Sequence, residues 1–167
     1  ILDFIDAATF AYNKDNNMKF VVVGEMPQEN LKLCNYIESQ LRSKKFIYYE
    51  GFKTNLSYYY NVSKMLCLPS RREGMPKVVL EASACGTPSI TYDVIGCSEA
   101  IISGVNGFLV KQVDSVSLGT AMLEELKKNN FSKLSETSRL HAEKNFSIKS
   151  VISLHLKLYE SILDIWD

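Results

Sequence analysis

The sequence carries no excess of charge of either sign and contains no long apolar run. Its 19 Lys and Arg residues equal its 19 Asp and Glu residues, so no overall electric field attracts nucleic acid or an anionic lipid surface. Apolar runs such as 20–23 and 65–68 are far shorter than the roughly 20 residues that cross a bilayer. These absences argue against a nucleic-acid-binding protein and against a transmembrane segment.

Motifs for metal binding and for redox chemistry are also lacking. The four cysteines are widely spaced and form no CxxC pair, and the two histidines stand alone. This pattern predicts buried, reduced thiols and a cytoplasmic location rather than a zinc or redox site. No Asp-x-Asp motif for a metal-bound diphosphate occurs in the sequence. We therefore expect a protein with no metal and no cofactor.

Short apolar runs alternate with segments of helical periodicity along most of the chain. The runs predict strands at 19–24, 46–49, 65–68, 89–92 and 108–110, with a turn at Glu50-Gly51. The periodic segments predict helices at 1–12, 28–42, 55–63, 76–85, 98–102, 115–128, 132–144 and 148–165. This alternation indicates an α/β fold with a doubly wound parallel sheet, in one domain over residues 1–167. The strand at 19–24 is expected to be buried on both faces.

The first and last helices suggest that sequence outside this chain contributes to the fold. The first helix begins at Ile1 without a capping residue, which predicts that upstream sequence is missing. The last helix, at 148–165, carries apolar residues around more than one face, and Ile165 and Trp166 continue the pattern. We expect this extra apolar surface to pack on another domain or another chain.

The stretch from Ser70 to Pro88 contains the residues best suited to chemistry. It lies between a strand that ends at Leu68 and a helix that begins at Pro76, where doubly wound sheets bind their ligands. Free N–H groups and the positive end of that helix suit a phosphate group. Glu73 lies in the loop, and Glu81 lies about 7.5 Å beyond Pro76 along the helix. Two carboxylates at different depths suit two separate hydroxyl-bearing groups of one ligand.

The same stretch resembles the retaining glycosyltransferases of the GT-B fold, in particular the glycosyl transferases group 1, which are similar to glycosyltransferase family 4. The pattern is Glu73, seven residues and then Glu81, followed by Gly86-Thr-Pro88. The likeness extends over residues 1–110 through Val23-Gly24-Glu25, Glu50-Gly51-Phe52, Leu68-Pro69-Ser70, Asp93-Val-Ile-Gly96 with Glu99, and Gly104-Val-Asn-Gly107. The resemblance implies a Rossmann-like C-terminal donor-binding domain that lacks its first strand.

The resemblance also implies roles for individual residues. Glu73 is the implied catalytic residue and contacts hydroxyls of the donor sugar, whereas Glu81 contacts the ribose hydroxyls of the nucleotide. Ionised carboxylates accept hydrogen bonds from such hydroxyls well. The remaining implied nucleotide-sugar contacts are the backbone amides of Gly74, Met75, Lys77 and Val78 for the sugar and diphosphate, and Phe52 and Lys53 for the nucleobase.

Some of these residues have simpler interpretations. Glu81 follows Lys77 by four residues, a spacing that also suits an exposed ion pair on a helix. Arg71 and Arg72 either reach a phosphate or only solvate a loop. The three tyrosines at 58–60 form an aromatic cluster, for which we favour packing over base stacking because at least one of them should face the core.

The implied activity is that of a retaining, metal-independent hexosyltransferase that uses a nucleotide diphosphate sugar in polysaccharide or glycoconjugate biosynthesis. The family's diphosphate-binding Arg and Lys would lie upstream of Ile1. The resemblance therefore implies a missing N-terminal acceptor-binding domain, and a chain that is inactive alone. It leaves open peripheral contact of the full-length protein with the inner face of the membrane. Two alternatives remain: a non-catalytic or half-enzyme subunit that binds a nucleotide sugar, and a sugar-nucleotide epimerase of the same fold.

Overall fold

The computed structural model describes residues 1–26, 30–128 and 130–163. Helices and strands alternate through most of these residues. In chain order the elements are α1 (Leu2–Lys14), β1 (Phe20–Val23), α2 (Leu31–Ser43), β2 (Ile47–Gly51), α3 (Leu56–Val62), β3 (Leu66–Leu68), α4 (Lys77–Ala84), β4 (Ser89–Tyr92), α5 (Cys97–Ala100), β5 (Gly107–Val110), α6 (Ser115–Lys127), α7 (Phe131–Phe146) and α8 (Ile148–Leu163). The predicted α/β class is confirmed.

The strands form two parallel sheets within the described residues. β1 pairs with β2, and β4 lies between β3 and β5 in the second sheet. A helix joins consecutive strands, as parallel pairing requires a crossover connection. The prediction of a doubly wound parallel sheet is confirmed, and β1 and β3 are not hydrogen-bonded to each other in the described residues. A further strand between them stays a prediction.

The burial of each strand depends on whether it has a neighbouring strand on one side or on both. All four residues of β4 are buried, with a strand on each side. In β1 only Phe20 is buried, and the three valines that follow it are half-buried. The prediction that this segment is buried on both faces is therefore wrong for the valines. The reason is that, in the part of the chain the structure describes, β1 has a strand neighbour along one edge only.

One hydrophobic cluster includes side chains from both sheets and from the helices around them. Phe20 of β1, Ile47 of β2 and Ile90 of β4 belong to it together with buried residues of α1, α2 and α6. α1 packs closely on α6 at Gly119, where an added Cβ would lie 2.8 Å from the carbonyl oxygen of Ala7. The absence of a side chain at Gly119 therefore lets the backbones of the two helices approach.

Two predicted boundaries differ from the structure. Glu50 and Gly51, predicted as a turn, belong to β2, because Gly51 pairs with Val23 in the parallel ladder. α2 begins after Asn30, whose side-chain oxygen accepts a hydrogen bond from the N–H of Leu33 at 3.0 Å and caps the helix. The predicted start of this helix at 28 lies outside the described residues.

α8 lies on the surface against α7. None of its described residues is buried, and its exposed large apolar side chains are Ile148, Val151, Ile152, Leu154, Leu156, Leu158, Tyr159, Ile162 and Leu163. The predicted apolar surface is confirmed over 148–163, whereas Ile165 and Trp166 lie outside the described residues. What covers this surface stays a prediction. Across the described residues, no helix combines the length and the apolar character needed to cross a membrane.

Candidate functional site

Two loops meet at the carboxyl edge of the three-stranded sheet. The loop 69–76 follows β3, and the loop 93–96 follows β4. The N–H of Glu73 donates to the carbonyl oxygen of Ile95 at 3.4 Å, which joins the two loops. Parallel α/β sheets bind ligands at the carboxyl ends of their strands. The structure thus places Glu73 at the edge that the sequence predicts for a ligand.

Gly96 brings the two loops into close contact. Its φ is +84°, a value that L residues with a side chain rarely adopt. A Cβ at this position would overlap the carbonyl oxygens of Glu73 and Gly74, and would lie 2.7 Å from the carbonyl carbon of Glu73. The position of the Glu73 backbone therefore depends on the absence of a side chain at Gly96.

Glu73 is half-buried, and its backbone lies against Gly96, which precedes the first residue of α5. Burial raises the pKa of the Cys97 thiol, a hydrogen bond with Thr91 lowers it, and the Glu73 carboxylate makes a smaller contribution that raises it. Among the described residues, no hydrogen bond or ion pair occupies the Glu73 carboxylate oxygens. They are consequently available to accept hydrogen bonds from a ligand.

The backbone amides predicted to bind the sugar and diphosphate lie at the start of α4. Helix starts leave N–H groups without intrahelical acceptors, and Pro76, which precedes α4, is buried. Within the described chain no acceptor takes up the N–H groups of Gly74, Met75, Lys77 and Val78. The side chain of Met75 is 45% exposed. This end of α4 therefore presents a group of unused donors to solvent, as a phosphate-binding loop requires.

Glu81 lies on the exposed side of α4 and contacts α3. The hydroxyl of Tyr60 donates to Glu81 Oε2 at 3.1 Å. Burial, and then the neighbouring Glu81 charge, raise the pKa of Tyr60, so the hydroxyl stays protonated and acts as the donor. The alternative ion pair with Lys77 does not form between these two described residues. Glu81 is thus held by a neutral donor and keeps its second oxygen for a ligand.

Tyr60 is a residue whose role sequence reasoning missed. The prediction that one of the three tyrosines faces the core is confirmed, since Tyr60 is 8% exposed and Tyr58 is 62% exposed. Its hydrogen bond to Glu81 was not predicted. A buried tyrosine hydroxyl needs a partner, but the partner lies 21 positions away along the chain, so spacing alone does not identify it.

The two residues predicted to contact a nucleobase follow β2. Phe52 is 64% exposed. Lys53 pairs with Glu50 at 3.4 Å, and the hydroxyl of Tyr59 donates to the same Glu50 oxygen at 3.2 Å. Lys53 is therefore paired with Glu50, which also contacts Tyr59 of α3, whereas Phe52 is open to solvent. The predicted base contacts of both residues stay a prediction.

Arg71 is engaged by another part of the chain. Its guanidinium pairs with Asp3 Oδ2 at 3.0 Å, and the hydroxyl of the buried Tyr92 donates to that oxygen at 3.1 Å. Burial, and then the charge of Asp3, raise the pKa of Tyr92. The Arg71 side chain is 65% exposed, so both interpretations of Arg71 and Arg72, a phosphate contact or solvation of a loop, stay predictions. The ion pair attaches the start of α1 to the site loop.

The described residues offer no metal cluster at this site, and two surface clefts lie elsewhere on the chain. No group of three or more His, Cys, Asp or Glu side chains in the described residues is placed to hold a metal ion, and metal independence stays a prediction. One surface cleft lies between α2 and β2, near Leu41 and Ile47. Another lies near Lys64 and Pro88, at the amino ends of β3 and β4. Neither of these two clefts is lined by Glu73 or Glu81.

Curated relatives of this chain are glycosyltransferases. The chain is 32% identical over 144 residues to an uncharacterized glycosyltransferase of Haemophilus influenzae, covering 83% of this chain and 38% of the relative. It is 28% identical over 167 residues to the N,N'-diacetylbacillosaminyl-diphospho-undecaprenol alpha-1,3-N-acetylgalactosaminyltransferase of Campylobacter jejuni, covering 98% of this chain and 42% of that enzyme. The chain thus spans about two fifths of the length of these relatives.

Solved structures and a family profile agree with these relatives. Anabaena HepE, solved in complex with UDP, superposes with a TM-score of 0.82 at 18% identity, over 98% of this chain and 44% of HepE. At this identity the likeness shows the fold, which is that of the C-terminal domain of GT-B glycosyltransferases. The profile of the family described as glycosyl transferases group 1 matches residues 2–144. A match over this much of the sequence shows that the chain belongs to the glycosyl transferases group 1 family.

Proposed function

We propose that this chain binds a nucleotide diphosphate sugar and forms the donor-binding part of a retaining glycosyltransferase. The observation that carries the proposal is the group of unused backbone donors at the start of α4, flanked by the carboxylates of Glu73 and Glu81. The amides suit a diphosphate. The two carboxylates suit the hydroxyls of a sugar and of a ribose. One ligand with these three parts in order is a nucleotide sugar.

The comparisons support the ligand class and the kind of product. HepE was solved in complex with UDP, and the Campylobacter jejuni relative is named for transfer of N-acetylgalactosamine in an alpha-1,3 linkage. We propose that the present protein likewise transfers a hexose or its N-acetylamino derivative, in the biosynthesis of a polysaccharide or glycoconjugate. UDP is therefore the first probe for the site.

We further propose that transfer by this chain requires an acceptor-binding domain, and that the 167 residues alone bind a donor without transferring it. Transfer needs an acceptor hydroxyl held in place and water kept out. Glu73 is half-buried and Glu81 is exposed, so the described residues do not shield these two carboxylates from water. The apolar surface of α8 is a suitable place for such a domain to pack, because its large side chains are exposed.

The proposed ribose contact predicts a binding defect on replacement of Glu81. In the full-length gene product, Glu81→Ala should weaken UDP binding by about 10- to 100-fold, because a hydrogen bond to a charged group contributes about 1.5–3 kcal/mol. Isothermal titration calorimetry measures the change. Glu136→Ala is the matched control, since Glu136 is an exposed carboxylate on α7. Equal UDP affinity in Glu81→Ala and the parent would show that Glu81 does not bind the nucleotide.

The proposed diphosphate site also predicts that transfer needs no divalent metal. Backbone donors and a helix start can bind a diphosphate without one. Turnover of a UDP-sugar by the full-length gene product should therefore persist in excess EDTA, at a rate within about twofold of the untreated enzyme. Loss of turnover with EDTA that is restored by Mg²⁺ or Mn²⁺ would contradict this account of the site.

A further inference from the structure

The fold holds the hydroxyl of Tyr60 in a fixed position. Tyr60 lies on α3, and its carbonyl oxygen accepts a hydrogen bond from the buried Thr87 Oγ1 at 2.7 Å. Thr87 follows α4 directly after Gly86, whose φ of +75° ends the helix. Both the backbone and the hydroxyl of Tyr60 are therefore attached to the segment that carries Glu81.

Glu81, in contrast, has little else to hold its carboxylate in place. Its side chain is on the exposed face of α4 and makes no ion pair in the described residues. A glutamate has three rotatable side-chain bonds, so ordering it when a ligand binds has an entropic cost. A hydrogen bond that already orients the carboxylate in the free protein removes part of that cost.

The hydrogen bond also gives the two carboxylate oxygens of Glu81 different surroundings. Oε2 receives the hydroxyl of Tyr60 at 3.1 Å, and no group of the described chain contacts Oε1 within hydrogen-bonding distance. The Tyr60 hydroxyl has one proton to donate and stays protonated, because burial, followed by the charge of Glu81, raises the pKa of Tyr60. Oε1 therefore remains available to accept a hydrogen bond from a ligand.

We propose that Tyr60 is a positioning residue for nucleotide binding, which orients the Glu81 carboxylate so that Oε1 accepts hydrogen bonds from the vicinal hydroxyls of the ligand's ribose. The inference rests on the proposed function, in which Glu81 binds the ribose. It adds the residue that prepares Glu81 for this contact. Tyr60 itself does not touch the ligand, and it acts through the carboxylate alone.

The experiment compares two nucleotides that differ only in the ribose hydroxyls. UDP and 2′,3′-dideoxy-UDP are titrated into the full-length gene product and into its Tyr60→Phe variant. We expect the variant to bind UDP about 3- to 10-fold more weakly, the range of one hydrogen bond, and to bind dideoxy-UDP within about twofold of the parent. Tyr58→Phe is the matched control, because Tyr58 is 62% exposed and neighbours Tyr60 on α3. It should leave both affinities unchanged.

A mutant cycle with Glu81 adds a second measurement. When Glu81 is already alanine, Tyr60→Phe should change UDP affinity by less than about twofold, since the carboxylate that Tyr60 positions is gone. Additive losses in the double variant would overturn the positioning role, as would an equal loss for UDP and dideoxy-UDP in Tyr60→Phe. Equal affinity of the parent for UDP and dideoxy-UDP would instead contradict the proposed function, because it would show that the ribose hydroxyls do not contribute to binding.

Discussion

Replacing Gly96 by alanine is expected to reduce sugar transfer by at least about 100-fold, because a displacement of about 1 Å near a reacting group costs that much. A Cβ on Gly96 would overlap the carbonyl oxygens of Glu73 and Gly74. These are backbone atoms rather than the ends of flexible side chains, so the loop that carries Glu73 must move. Steady-state rates with a UDP-sugar donor, measured on the full-length gene product, give the effect.

Gly104 offers a matched control for this substitution. Its φ of +81° is close to the +84° of Gly96, but an added Cβ would meet nothing within 4 Å. Gly104→Ala should therefore lose only about 1–2 kcal/mol of unfolding free energy from its backbone conformation, and should keep its transfer rate. Gly96→Ala should lose more unfolding free energy, measured by urea unfolding, because its Cβ also collides with the loop that carries Glu73. Equal transfer rates in the two variants would show that the close contact with Glu73 is unimportant.

The regular elements near the site were predictable because their signals are local. The apolar run that ends at Leu68 and the proline at 76 lie within nine residues of each other, and they bracket the loop of Glu73. β3, β4 and α4 accordingly lie within one or two residues of their predicted positions. The unused N–H groups at the start of α4 follow from the same signals, since a helix start leaves its first amides without acceptors.

The contacts that hold the site together were not predictable, because they join distant parts of the chain. Asp3 and Arg71 are 68 positions apart, and Tyr60 and Glu81 are 21 positions apart. Asn106 is a polar residue between Gly104 and Gly107, yet it is fully buried, and its side-chain amide donates to the carbonyl of Ala100 at 2.9 Å. Periodicity reports which face of an element is apolar, but it does not report which elements meet.

The pairing of the strands in two sheets also depends on which distant parts of the chain meet. The valines of β1 form a continuous apolar run, which predicts a strand but carries no information on its neighbours. Pairing of β1 with β2 is a property of the whole fold, and the half-buried valines reflect the neighbour that β1 has along one edge. The positions of the strands were therefore predicted from local signals, whereas no prediction of their order was made.

Replacing Glu73 by glutamine is expected to lower the turnover of a UDP-sugar by about 100-fold while UDP affinity stays within about threefold of the parent. Glutamine has nearly the same shape but is uncharged, and hydrogen bonds to a charged group contribute about 1.5–3 kcal/mol each. Hydrogen bonds to sugar hydroxyls that strengthen in the transition state lower the barrier. Glu73 is the proposed partner of those hydroxyls, and UDP does not contain them.

The structure gives reasons to expect this separation between turnover and binding. Glu73 lies in the loop before α4, where its backbone is held by Ile95 and Gly96, whereas Glu81 lies on α4 and is held by Tyr60. The two carboxylates therefore have different supports, and a change at one need not disturb the other. Initial rates over a range of donor concentrations give kcat and KM for Glu73→Gln. Calorimetry with UDP gives its nucleotide affinity.

Comparison of Glu73→Gln with Glu81→Ala tests which carboxylate contacts the sugar and which contacts the ribose. If Glu73 contacts the sugar and Glu81 the ribose, the first variant loses turnover with UDP affinity retained, and the second loses UDP affinity. Glu136→Gln, on the exposed surface of α7, should change neither quantity. A loss of UDP affinity in Glu73→Gln as large as that in Glu81→Ala would place both carboxylates on the nucleotide. Full turnover in Glu73→Gln would show that Glu73 does not stabilise the transition state, because the loss of such an interaction lowers the rate.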